Sequence, residues 1–226
     1  MDVVTFETIE QVIAKDPALI SQLSADQLGL IKKKLQASFN ITQGRGSIVR
    51  SKDYEPWLAG RKTEIDFYYW NRLRDYLLAK DILPPNVISM LDSVTDEILG
   101  YSGNPEFDGA WSKRGMVMGH VQSGKTTNYS ALICKAADAG YKIIIILTGI
   151  TNSLRTQTQE RIDETFIGRK SLFHAAVDED LSILDFSEEK RIPAYFTSRD
   201  KDFGKDISAT SGFDFSDYSN PIIFVT

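Results

Sequence analysis

Residues 115–149, GMVMGHVQSGKTTNYSALICKAADAGYKIIIILTG, decide the fold of this chain. The apolar residues 116–118 predict a short buried strand, and residues 125–139 have the pattern of a helix that stops at Gly140. Residues 141–147 are rich in β-branched side chains and predict a second strand. Strand, helix and strand in this order indicate a parallel sheet with a right-handed crossover, so we expect an α/β fold.

Between the first strand and the helix lies a predicted phosphate-binding loop. Residues 119–126, GHVQSGKT, match the pattern G-x-x-x-x-G-K-[ST] at every specified position. Glycines allow the loop to curl so that backbone N–H groups point at phosphate oxygens, and the helix N-terminus adds positive potential. Lys125 would contact the β- and γ-phosphates and Thr126 would bind Mg²⁺, which makes them the predicted catalytic pair. The predicted ATP-binding residues are Gly119, Val121, Gln122, Ser123, Gly124, Lys125, Thr126 and Thr127. The alternative is an ordinary glycine-rich turn between strand and helix.

The segment after the second strand, residues 147–159, is unusually polar for the edge of a core. Open α/β sheets place ligands at the carboxyl ends of their strands. Four side chains there could donate to a nucleic-acid phosphate: Thr148, Asn152, Ser153 and Arg155. The alternative is a capped surface helix, with Asn152 as its N-cap and Leu154, Thr158 and Ile162 facing inward.

Apolar spacing predicts that residues 1–108 form a helical module, followed by the first part of a parallel-sheet domain at 109–226. Residues 6–13 and 24–35 read as two helices, and another covers 65–77. Pro85 can start a further helix that Gly100 would stop. Residues 181–184 and 194–197 have strand-like patterns. The last residues, NPIIFVT, combine turn chemistry with a buried-strand pattern, so we expect the chain to be the front part of a longer protein.

Composition restricts the class of protein. Hydrophobic residues make up 42% of the chain and charged residues 25%, as in ordinary globular proteins. The formal net charge of −5 argues against a protein that coats nucleic acid, so DNA contact would need a local patch. The single cysteine, Cys134, excludes an internal disulfide and is best explained as a core residue. The acidic start lacks a signal-peptide pattern, and no apolar run approaches the ~20 residues that span a membrane. We therefore expect a cytoplasmic protein without a membrane partner.

Several weaker patterns carry less weight. Residues 181–185 could be a strand that ends in a Mg²⁺-binding acid, Asp185, but Ser182 and the acidic neighbours favour a solvated surface. Asp178 with residues 188–190 can be aligned to a nuclease metal motif, although no strand pair supports it. The basic residues between Arg45 and Lys62 could contact a nucleic-acid backbone, and solvated loops explain them more simply. With two histidines and one cysteine, the composition argues against a structural zinc cluster.

Residues 114–168 also resemble the endonuclease Z-one domain family of prokaryotic defence and restriction-type loci. The resemblance rests on GHVQSGKT at 119–126, AADAGYK at 136–142 and LRTQTQ at 154–159. The aromatic block FYYW at 67–70 and residues 105–111 fit its upstream region. The resemblance implies a P-loop ATPase with a RecA-like domain similar to superfamily-two helicases. In those proteins the segment corresponding to residues 148–159 touches a nucleic-acid strand, and an acidic Mg²⁺-binding motif and a second motor lobe come later in the chain.

The predicted function is therefore a motor ATPase that binds ATP and Mg²⁺ and acts on DNA in a prokaryotic defence or restriction-type system, with other defence proteins as further partners. Two alternatives stay open. One is an ATP-dependent switch that assembles proteins without moving on DNA, and the other is an ATP-dependent endonuclease whose cutting site lies outside this chain. A phosphotransferase acting on a small molecule is a third reading, although no acceptor pocket is recognisable in the sequence.

Overall fold

The computed structural model describes residue 49 and residues 56–118, 124–171, 191–203 and 220–226. The chain divides into two compact units, Met1–Ser51 and Lys52–Thr226. All the helices and strands below belong to the second unit. The two helices predicted within residues 6–35, the strand at 181–184 and the weaker motifs at Asp178, Asp185 and 188–190 lie outside the described residues.

Three helices precede the predicted phosphate loop: α1 (Leu58–Arg61), α2 (Tyr68–Ala79) and α3 (Pro85–Tyr101). The predicted helical spacing is confirmed in α2, which buries Tyr69, Trp70, Leu73 and Leu77 on one face. Pro85 occupies the first turn of α3, where its missing N–H removes no hydrogen bond. The helix ends at Tyr101, one residue past the predicted stop at Gly100, where a Cβ would lie 3.4 Å from Pro56 Cβ.

The second half alternates helices with short strands. It contains α4 (Lys125–Asp138), β1 (Ile143–Ile146) and α5 (Asn152–Ile162), which continues into a π-helical turn, Asp163–Ile167. Gly168 ends that turn in the left-handed conformation, at φ 86°, which glycine adopts without strain. The strands β2 (Ala194–Tyr195) and β3 (Ile222–Val225) follow. The expected α/β class is confirmed in its general form, as helices around a small parallel sheet.

The sheet has the order β1-β3-β2, and both pairings are parallel. Ile143 lies opposite Ile222, and Ile146 lies opposite Val225. One sheet face, with Ile144, Ile146, Ile223 and Val225, packs into the main core beside residues of α2, α3 and α4. Helices on both sides of residue 108 share this core, and the two-domain division near that residue stays a prediction.

The short buried strand predicted at residues 116–118 is wrong for this structure. These residues form neither helix nor strand, and Met116 and Met118 are 81% and 83% exposed. Apolar residue type alone suggested burial. A strand also needs a hydrogen-bonded neighbour, and among the described residues β1 pairs only with β3.

A carboxylate at the end of α4 fastens it to α2. The backbone N–H groups of Tyr69 and Trp70 donate to the two carboxylate oxygens of Asp138, each at 2.9 Å. These are first-turn N–H groups of α2 that lack partners inside the helix, so Asp138 caps α2 from another element. Burial raises the pKa of Asp138 to about 7, and the two N–H donors offset only part of that effect.

This raised pKa predicts a pH-dependent stability. The ordinary pKa is 3.8, so between about pH 4 and pH 7 the folded chain binds more protons at Asp138 than the unfolded chain does. The free energy of unfolding should therefore fall as pH rises through this window. We expect the stability difference between wild type and Asp138→Asn to shrink by about 1 kcal/mol or more from pH 5 to pH 8. Urea unfolding at both pH values measures it. Asp108→Asn, at an exposed position, should leave the pH dependence unchanged. A pH-independent difference for Asp138→Asn would contradict the prediction.

No helix in the described ranges has both the length and the apolar character to cross a membrane.

Candidate functional site

The described part of the predicted phosphate loop is its junction with α4. Gly124 adopts the left-handed conformation, with φ 76° and ψ 21°, and is the N-cap of α4. A residue with a Cβ would be strained in this backbone conformation, which explains why the motif has a glycine at this position. Its carbonyl accepts the Asn128 N–H at 3.0 Å, which begins the helical hydrogen-bond ladder. Gly119, Val121, Gln122 and Ser123 lie outside the described residues.

Lys125 and Thr126 are exposed on the first turn of α4, and Thr127 beside them is half-buried. Burial raises the pKa of the Tyr129 phenol, and the Thr126 side chain beside it lowers this pKa in part. No acidic residue occupies the first turn of α4, so no negative side chain there neutralises the positive potential at the N-terminus of the helix. An ammonium and a hydroxyl are thus presented to solvent where a phosphate group and its cation would be favoured.

The orientation of α4 places this turn at one particular edge of the sheet. Only residues 139–142 connect the end of α4 to the start of β1, and Gly140 makes the turn at φ 103°. The buried side chains Ala131, Cys134 and Ala137 of α4 pack into the same core as Ile144 and Ile146 of β1. The N-terminus of α4 therefore lies toward the carboxyl ends of the parallel strands, where α/β folds bind ligands.

The segment that follows β1 starts at the same edge. The backbone N–H of Thr148 donates to the Thr226 carbonyl at 2.8 Å, just beyond the last residue of β3. Thr151 is the N-cap of α5, and its side chain accepts from the Leu154 N–H at 3.4 Å. The N-cap predicted at Asn152 is thus one residue too late. Asn152 and Ser153 are exposed in the first turn of α5, which holds no acidic residue.

The buried face of α5 differs from the predicted one. Arg155, Gln159 and Ile162 are buried, whereas Leu154 is 48% exposed. The guanidinium of Arg155 donates to the carbonyls of Ser198 and Arg199, at 2.9 and 3.1 Å. Its role in binding nucleic acid stays a prediction, while the structure shows that it fixes the loop after β2. The predicted burial of Ile162 is confirmed, but that of Leu154 is wrong, because polar side chains with hydrogen-bond partners, Arg155 and Gln159, are buried as well.

A buried polar network connects α5 to the carboxyl ends of β2 and β3, and residue patterns had not indicated it. The Val225 N–H donates to Thr197 Oγ1 at 2.8 Å, and the Thr197 hydroxyl donates to Gln159 Oε1 at 2.9 Å. Gln159 Nε2 then donates to Asp163 Oδ1 at 3.0 Å. The other Asp163 oxygen accepts from Arg199 Nε at 2.7 Å. The network fixes residues 197–199, which follow β2, against α5.

A cleft of about 350 Å³ lies among the helices and is lined by residues of α2 and α3 and of the segment before α2. It lies away from the carboxyl edge of the sheet. Its charged side chains already form ion pairs, namely Lys62 with Asp96, Asp66 with Arg191, Asp92 with Lys135 and Arg74 with Asp75. We therefore place the candidate site at the first turn of α4 and not in this cleft.

Cys134 is fully buried, as predicted for a core residue, and burial raises the pKa of its thiol. The thiol donates to the Thr165 carbonyl at 3.6 Å. A buried, protonated thiol is a poor nucleophile. Within the described ranges, no group of three or more histidine, cysteine or acidic side chains could hold a metal ion.

No family model matches the sequence, and comparisons with curated proteins and with solved structures find no match either.

Proposed function

We propose that this chain binds ATP and Mg²⁺ at the N-terminus of α4 and belongs to a P-loop motor ATPase that acts on DNA. The observation that carries the proposal is Gly124, which starts α4 in the left-handed conformation and leaves Lys125 and Thr126 exposed on its first turn. This is the arrangement that the motif GHVQSGKT requires at the junction of its loop and helix. Lys125 would bind the β- and γ-phosphates, and the exposed hydroxyl of Thr126 would bind Mg²⁺.

The nucleic-acid part of the proposal rests on the segment after β1. Thr148, Asn152 and Ser153 lie at the edge of the sheet toward which the first turn of α4 points. The neighbouring side chains of Leu147 and Ile150 are strongly exposed although apolar, which is unusual unless a partner covers them. The sequence resemblance to the Z-one domain family supports a RecA-like domain and a defence or restriction role. Other proteins of such a system would be further partners.

The direct test of nucleotide binding is titration of the protein with ATP and Mg²⁺ by calorimetry. Lys125→Ala should weaken binding at least tenfold, because an ammonium that contacts the phosphates is lost (about 1.4 kcal/mol per tenfold). Lys80→Ala, which removes an exposed lysine after α2, is the matched control and should bind as wild type does. Equal ATP affinity in wild type and Lys125→Ala would overturn the assignment of the phosphate site.

The DNA part has its own expected outcome. ATP hydrolysis should increase with DNA, and the double variant Asn152→Ala with Ser153→Ala should lose most of that stimulation while binding ATP normally. Both side chains are exposed, so we expect thermal stability to change by no more than about 0.5 kcal/mol. Comparing hydrolysis rates with and without DNA measures the effect. Lysine-dependent hydrolysis that ignores DNA would instead favour the protein-assembly switch.

A further inference from the structure

The cleft among the helices is lined by one stripe of side chains at the start of α2. Phe67, Trp70, Asn71 and Arg74 line it, at positions i, i+3, i+4 and i+7 of the helix and its N-cap. This spacing places them on one face. The volume of about 350 Å³ lies at the small end of the range for small-molecule sites, so the cleft can hold one small ligand.

The charged side chains that line the cleft are already neutralised by the ion pairs described above. The pair of Asp92 with Lys135 is the most enclosed, since the Lys135 side chain is fully buried. A charged ligand would have to separate such a pair and leave one member without a counter-ion. The cleft therefore favours an uncharged ligand.

Two uncharged hydrogen-bonding groups of the cleft have no partner among the described residues. Trp70 is only 3% exposed, and its ring lies against the Lys135 ammonium, but no described residue accepts a hydrogen bond from its indole N–H. The half-buried Asn71 uses its backbone N–H to bond the Phe67 carbonyl, whereas its carboxamide is unpaired within the same part of the chain. Buried polar groups normally have partners, so a ligand with matching groups is favoured here.

The chemistry of these groups specifies the ligand. A carboxamide donates and accepts side by side, which matches N7 and the N6 amino group of adenine. The indole N–H can donate to a further ring nitrogen. Phe67 and Ile65, both half-buried at the cleft, offer apolar surface to a planar ring.

We propose that the cleft between α2 and α3 binds the adenine base of a nucleoside, at a site separate from the phosphate site of α4. Lys135, which contacts Asp92 at the cleft, lies about 15 Å along α4 from Lys125. The inference does not rest on the proposed ATP binding, because adenosine has no phosphate for Lys125 to contact.

Titration of the whole chain with adenosine by calorimetry tests the site. We expect saturable binding that Asn71→Ala weakens about tenfold or more, because the paired hydrogen bonds to the base are lost. The Asn71 carboxamide has no partner in the described chain, so this variant should unfold at the same urea concentration as wild type. Asn86→Ala is the matched control, since Asn86 is a half-buried asparagine of α3 that does not line the cleft, and it should bind adenosine as wild type does.

Inosine provides a matched ligand, because it has an oxygen acceptor where adenosine has the N6 amino donor. Wild type should bind inosine about tenfold more weakly than adenosine, and Asn71→Ala should bind the two nucleosides equally. A purely structural role of Asn71 would not remove this discrimination. Trp70→Phe, which keeps a ring in the core but lacks the indole N–H, should weaken the binding of both nucleosides.

The outcomes separate this site from the phosphate site. Absence of adenosine binding, or equal affinity of wild type for adenosine and inosine, overturns the proposal. Adenosine binding that is lost in Lys125→Ala and kept in Asn71→Ala would place the nucleoside at α4 and also overturns it. Failure of the chain to bind ATP contradicts the phosphate site alone. An oligonucleotide of deoxyadenosines that binds through Asn71 more tightly than adenosine does would identify a DNA strand as the source of the base, and weaker binding would identify a free nucleoside.

Discussion

Replacing Asp163 with alanine should lower the free energy of unfolding by roughly 3 to 5 kcal/mol. Asp163 is fully buried at the start of the π-helical turn, and its carboxylate accepts three hydrogen bonds besides the one from Gln159 Nε2 in α5. Two of these come from the backbone N–H and the hydroxyl of Ser171, at 2.9 and 3.0 Å, and one comes from Arg199 Nε. The substitution leaves these donors without their acceptor and the Arg199 guanidinium without its buried counter-ion.

Urea denaturation of purified variants measures this effect. Asp163→Asn should lose less than the alanine variant, because its amide oxygen still accepts hydrogen bonds although the charge pair is gone. Asp202→Ala removes an exposed carboxylate from the loop after β2 and should change stability by about 0.5 kcal/mol at most. A loss below about 1 kcal/mol in Asp163→Ala would show that the network contributes little to folding.

Lys135→Ala should have a comparable effect, again roughly 3 to 5 kcal/mol. Lys135 is one of the largest fully buried side chains among the described residues and lies on the face of α4 toward α3. Its ammonium contacts the carboxylates of Asp92 and Asp96 and donates to the Asp92 carbonyl at 2.6 Å. It also lies 4.7 Å from the centre of the Trp70 ring. Alanine would leave a cavity beside Trp70 and two acids without their shared cation.

A second variant separates packing from charge. Lys135→Met keeps most of the side-chain volume against Trp70 but removes the charge, and we expect it to lose about half as much stability as Lys135→Ala. Asp92 and Asp96 retain some contact with solvent, with side-chain exposures of 39% and 19%, so water can partly replace the ammonium. Denaturation of both variants in parallel provides the comparison. Equal losses for methionine and alanine would mean that the ion pairs, and not the packing, hold α4 to α3.

The expected order of elements around the motif was largely recoverable from sequence because it depends on local chemistry. The helix predicted at 125–139 is α4 at Lys125–Asp138, since a glycine on each side fixes its ends. Isoleucine-rich residues predicted β1, and the final apolar run predicted β3. The helix expected after β1 is also present, although its last turn widens into a π-helical turn that no residue pattern indicated.

The contacts between side chains far apart in the chain could not be predicted from local sequence patterns. The residues of α5 read as a surface helix with an apolar inner face, but its inner face carries Arg155 and Gln159. Arg155 and Gln159 can be buried because they form hydrogen bonds with residues that lie 38 to 44 positions later in the chain. The hydrophobicity of a single residue does not indicate such distant hydrogen-bond partners. The same limit applies to Asp138, which caps a helix that begins some 70 residues earlier.

By itself, the sequence determined that a helix begins after Gly124 and that a strand of a parallel sheet follows it, because glycine positions and hydrophobic periods act over a few residues. Only the tertiary structure decided which strands pair and which charged groups are buried. It placed β3 between β1 and β2, left residues 116–118 outside the sheet, and enclosed Lys135 and Asp163 with their partners. Strand pairing and the burial of charged groups depend on interactions between segments far apart in the chain. A local sequence pattern therefore cannot predict them.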